Sequence, residues 1–101
     1  MSSQIDVVFI TRSGCGICMM MEPAWKRIMT ERLDWHCYHY NIGVDAEAIK
    51  AVTDFPQNDG KLPMFCVYDH DKPLGIVSGG HRYKDIIRMI EDITGKGGLD
   101  G

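Results

Sequence analysis

The chain has 101 residues, enough for one domain that can bury its own core without staples. Its 45% hydrophobic and 25% charged residues, with a net charge of −3, make an ordinary globular mix. No acidic or basic block points to nucleic acid or to an anionic membrane, and apolar runs such as Val7 to Ile10 are far too short to span a bilayer.

The first four residues, Met1 to Gln4, carry neither a charged nor an apolar leader pattern, which predicts a cytoplasmic protein. Ile5 to Thr11 is β-branched and aromatic, apolar on both faces as a central strand should be. Arg12-Ser13-Gly14 breaks it. From Cys15 to about Leu33 the pattern is helical, with Met19, Met20, Met21, Trp25, Ile28 and Met29 as core candidates and a kink expected at Pro23. Asp34 to Ile42 reads as a second strand. Asp45 is a candidate N-cap for a helix over Ala46 to about Thr53, with Ala48, Ile49 and Val52 inward.

Pro56 to Lys61 reads as a loop. Met64 to Tyr68 is a third strand, and Pro73 to Ser78 returns as its hairpin partner. Arg82 to Thr94 carries Ile86, Ile87, Ile90 and Ile93 at helical spacing, and Gly95 suits a helix stop before a frayed tail. The order β-α-β-α-β-β-α begins with a βαβ unit, which needs parallel strands, and ends with an antiparallel hairpin. An α/β fold follows: a four-stranded mixed sheet flanked by three helices, in a single domain.

Cys15-Gly16-Ile17-Cys18 is the chemically informative motif. Two cysteines three apart in a first helical turn can close a disulfide with little backbone movement. The first sits where backbone N–H groups are unpaired and the helix dipole is positive, which favours a thiolate. Cys15 is therefore the expected attacking sulfur and Cys18 the resolving thiol. Arg12 adds positive charge, and Ile17 offers an apolar lip. Structural zinc needs four ligands, and no second cysteine pair exists. Cys37 and Cys66 read as small buried hydrophobes. His36, His39, His70 and His81 have no metal-ligand spacing, and of these His81 is the candidate substrate contact. Trp25 and Trp35 read as packing residues, and the Met19–Met21 run reads as core and groove filling.

Cys15-x-x-Cys18 after the first strand, Pro23 five residues past the second cysteine, and Leu62-Pro63 before a strand together resemble the thioredoxin/glutaredoxin superfamily over nearly the whole chain. The resemblance implies that Pro63 is cis and faces the cysteine pair, with Leu62 presenting its main chain to a substrate peptide. Thr11-Arg12 and Ser78-Gly79-Gly80-His81-Arg82 are similar to stretches of the redoxins that reduce ribonucleotide reductase. Gly14 and Phe9 depart from thioredoxins, which carry a Trp and a buried Asp there. His81-Arg82 replaces the acidic pair with which glutaredoxins hold glutathione.

The resemblance implies a monomeric dithiol–disulfide oxidoreductase with no tightly bound cofactor and no metal. Its implied substrate is a protein disulfide, ribonucleotide reductase first among them, and thioredoxin reductase or glutathione restores the pair. The implied substrate or glutathione site is Arg12, Ile17, Leu62, Pro63, Gly80 and His81. Two rivals share the fold: a glutathione-dependent iron–sulfur-cluster protein and a redox-inert interaction module.

Overall fold

A computed structural model of the chain describes residues 5–98. The elements run β1 (Ile5–Thr11), α1 (Gly16–Glu31), β2 (Trp35–Asn41), α2 (Ala46–Asp54), β3 (Met64–Asp69), β4 (Lys72–Ser78) and α3 (Tyr83–Gly98). The expected order and the mixed four-stranded sheet are both present. Strands lie in the order β2-β1-β3-β4, with β1 parallel to β2 and antiparallel to β3, and β3 antiparallel to β4. No described helix is long and apolar enough to cross a membrane.

Side chains alternate across a strand, so the apolar run of β1 feeds two cores. Val7 and Phe9 join Phe65 and Val67 of β3 under α1 and α3, where Trp25, Ile28, Ile86 and Ile90 close the layer. Val8 and Ile10 face the other way and pack with Met64, Cys66 and Tyr68 against Ala48, Ala51 and Phe55 from α2 and its end. Trp25 and Trp35 are both buried, as their reading as packing residues requires.

Four expectations need correction. The buried stripe of α1 is Cys18, Met21, Trp25 and Ile28. Met19, Met20 and Met29 lie off that three-and-four spacing and are exposed, Met20 at 79%. On α2 the small residues Ala48 and Ala51 meet the sheet, and Ile49, one step round the helix, is exposed. Asp45 holds the N-cap position without capping: its carboxylate accepts the Asn41 N–H at 2.8 Å instead. The helix stop at Gly95 is absent, since α3 continues to Gly98. A helical glycine costs only about 1 kcal/mol, and Ile93 packed on Gly75 holds the turn before it. The rest of the expected tail, like Met1 to Gln4, lies outside the described residues.

Candidate functional site

Cys15 is the N-cap of α1, and its extended backbone (φ −87°, ψ 108°) turns the chain from strand into helix. Gly14 precedes it in the left-handed region (φ +81°), which glycine enters without steric cost. The turn is closed by the Cys15 N–H donating to the Arg12 carbonyl at 3.2 Å. Cys15 and Cys18 are disulfide-bonded, with Cα atoms 5.2 Å apart. The Cys18 backbone N–H donates to the Cys15 sulfur at 3.1 Å. An N–H aimed at sulfur from a helix's first turn stabilises the thiolate that forms on reduction. Cys15 is half-buried, whereas Cys18 is 2% exposed. One sulfur can meet a large partner; the other is held beneath it.

The remaining cysteines are poor nucleophiles. Burial, with help from the Asp34 charge, pushes the Cys37 thiol up to about 11. Burial pushes Cys66 up to about 12, with the Asp54 charge adding to it. Neither forms appreciable thiolate near neutral pH.

The Leu62–Pro63 bond is cis, as the resemblance implied. Pro63 is buried, and its carbonyl accepts the Gly79 N–H at 2.9 Å. Among the described residues, neither Leu62 main-chain group pairs with another backbone group. Gly80 abuts the active helix: a Cβ added there would lie 3.1 Å from Ile17 Cγ2. Ile17 itself is 51% exposed. Gly79, Gly80 and Ile17 thus form a ridge that joins the buried Pro63 to the active helix. The His81 Nε2–H donates to the Ser78 carbonyl at 2.9 Å, and His81 lines a groove with Met20, Met21 and Pro23.

Arg12 lies on the other flank of α1. It is exposed and makes no ion pair among the described residues. There it lines a cavity of about 400 Å³ shared with Thr11, Cys18, Met19, Glu22, His39, Asn41 and Asp45. The expected site residues therefore fall into two groups, one on each side of the disulfide. Thr11, Glu22, His39 and Asn41 were missed from the sequence. The missed signal was register: His39 pairs with Phe9 across parallel strands, so it shares the α1-facing side of the sheet. Among the described residues, no three His, Cys, Asp or Glu side chains gather as metal ligands would.

Strand order, the disulfide at the β1–α1 junction and the cis-proline before β3 define a thioredoxin-like fold. Solved structures agree. Spinach chloroplast thioredoxin f is 18% identical, with a TM-score of 0.71 over 92% of this chain and 79% of that one. Fasciola hepatica thioredoxin is 16% identical, with a TM-score of 0.72 over 90% of this chain and 82% of that one. Mitochondrial thioredoxin 3 of Saccharomyces cerevisiae is 17% identical, with a TM-score of 0.69 over 87% and 77%. At these identities the likeness carries the fold. No protein-family model and no curated protein matches the sequence.

Proposed function

We propose that the chain is a dithiol–disulfide oxidoreductase of the reducing cytoplasm, acting as a monomer on protein disulfides. One observation carries this reading: Cys15 is reachable at a helix N-cap and bonded to a Cys18 that is buried directly behind it. In the dithiol form the Cys15 thiolate attacks one sulfur of a substrate disulfide. A mixed disulfide forms and the other substrate sulfur leaves as a thiol. Cys18, deprotonated, then attacks the Cys15 sulfur, closing the Cys15–Cys18 bond and releasing the second substrate thiol. Two electrons and two protons pass from the pair to the substrate.

The ridge of Leu62, Pro63, Gly80 and Ile17 suits an extended peptide. The unpaired main chain of Leu62 offers strand-type hydrogen bonds, and Ile17 offers an apolar contact. His81 borders that ridge, and Arg12 stands free for an anionic group. Thr11-Arg12 and Ser78 to Arg82 favour ribonucleotide reductase as substrate. A protein reductase is the favoured electron donor, because His81-Arg82 stands where glutaredoxins carry the acidic pair that holds glutathione. One matched thioredoxin f2 is crystallised in complex with ferredoxin:thioredoxin reductase, which supports a protein partner on this fold.

The test supplies NADPH with thioredoxin reductase, or glutathione with its reductase, and follows reduction of a protein disulfide. Turnover with the first system and its loss in Cys15→Ser is the expected result. Turnover with glutathione alone would replace the donor assignment. Failure of both systems, with Cys18→Ser trapping no mixed disulfide, would remove the oxidoreductase reading.

A further inference from the structure

A buried thiol resists ionisation. Cys18, at 2% exposure, must nevertheless become a thiolate to release a substrate from Cys15. The core behind it offers no base: Phe9 is wholly buried and stacked on Trp25 and Phe65, each with ring centroids 4.9 Å away. Beside Cys18 the structure opens a cavity of roughly 400 Å³ on the Arg12 flank of α1. Its lining is polar, and its size admits water.

We propose that His39 accepts the Cys18 proton through this cavity, in the step that resolves the mixed disulfide. The inference rests on the oxidoreductase reading and deepens it. His39 lies on β2 level with Phe9, whose ring is 4.9 Å away, and it borders the cavity that Cys18 also borders. Its Nε2 is 2.9 Å from the hydroxyl of Thr11, a residue only 6% exposed that lines the same cavity. A hydroxyl can donate and accept in turn, so Thr11, with water admitted to the cavity, can relay a proton to the imidazole. Imidazole is the side chain whose charge ordinarily changes near neutral pH, which suits reversible proton transfer.

The other charged groups facing the cavity are Arg12 from the β1–α1 turn, Glu22 from α1 and Asp45 at the start of α2. Asp45 is already engaged by the Asn41 N–H. Glu22 is the competing base, because it lies one helical turn beyond Cys18. In the step itself the Cys18 proton passes to His39. The Cys18 thiolate attacks Cys15 Sγ, the intramolecular S–S bond forms and the bond to the substrate sulfur breaks. The departing thiolate takes up the proton from the imidazolium or from water.

Reaction of the reduced protein with dithiobis(nitrobenzoate) separates the two steps. The first nitrothiobenzoate leaves when Cys15 attacks, and the second leaves when Cys18 closes the ring. His39→Gln should slow the second phase by at least about tenfold, change its pH profile and leave the first phase unchanged. Added imidazole should restore the second phase of His39→Ala, which a merely structural role would not allow. Glu22→Gln should leave both phases as in wild type. A His39→Gln second phase with wild-type rate and pH profile would overturn the proposal, as would the same loss in Glu22→Gln. Absence of the first phase in the wild type would instead overturn the oxidoreductase reading beneath it.

Discussion

Cys66 illustrates how one buried atom couples ionisation to stability. It is wholly buried between the sheet and α2. Its thiol keeps its proton to about 12 in the fold but loses it near 9.0 in the open chain. The folded state therefore binds more protons than the unfolded one as pH climbs through that window. The stabilisation is complete below 9.0 and drains away toward 12, by at most about 1.4 kcal/mol per pH unit. Tyr68 acts in the same direction, its phenol raised by burial and by its hydrogen bond to Asp54. Denaturant midpoints measured from about pH 8 to about pH 11 should fall steadily. In Cys66→Ala they should fall less steeply, with the remaining slope left chiefly to Cys37 and Tyr68. An unchanged slope would mean that the Cys66 thiol titrates no differently when folded.

At the level of elements, two joints hold the helices to the sheet. Arg32, at the C-cap of α1, lays its guanidinium 3.9 Å over the Trp35 ring and pairs with Asp34 and Glu91, each at 2.8 Å. One side chain thus ties the end of α1 to β2 and α3. Arg32→Lys should cost about 1 kcal/mol, because an ammonium can neither stack flat nor bridge two carboxylates with a planar fork. Arg32→Ala should cost about 1–2 kcal/mol, with only the ion-pair part removed by salt. The second joint is Gly75 of β4, where an added Cβ would meet three carbons of Ile93 at 3.2 Å. Ile93 is β-branched and stiff, so Gly75→Ala should destabilise by about 1–3 kcal/mol. Truncating the obstructing side chain in Ile93→Ala should absorb that effect. The double variant should therefore be more stable than the summed single losses by more than about 0.5 kcal/mol in equilibrium denaturation.

These joints also mark where sequence reading stops. The strands were legible because Val7 to Ile10 and Met64 to Tyr68 are apolar on both faces, and only a central strand tolerates that. The cysteine pair, the cis-proline and the ridge at Gly80 were legible because their spacings belong to a known fold. Met19, Met20 and Ile49 were misplaced because hydrophobicity alone does not reveal which helical stripe docks, and small alanines took the close contacts on α2. The cavity at His39 depends on a pairing between residues thirty apart in sequence, Phe9 and His39, which no local pattern shows.

At the scale of the whole molecule, the disulfide lies at the margin of the packed layers, with Cys15 half-buried and Cys18 buried at the start of α1. Neither Cys15 nor Cys18 belongs to the cluster under α1 and α3 or to the one under α2, and every strand pairing is made without them. A catalyst that cycles between dithiol and disulfide must stay folded in both states, and this placement allows it. The bond closes a ring of only four residues, for which chain entropy amounts to about 2 kcal/mol. Reduction should therefore lower the melting temperature by about 8–16 °C, the range for a domain of this size, while leaving one cooperative transition. Cys15→Ser, which cannot form the bond, should melt at the reduced temperature whether or not reductant is present. Circular dichroism melts of both proteins, with and without a phosphine reductant, make the comparison. Unfolding of the wild type on reduction at room temperature would show that the pair is a structural staple, and a redox cycle at Cys15 would then be ruled out.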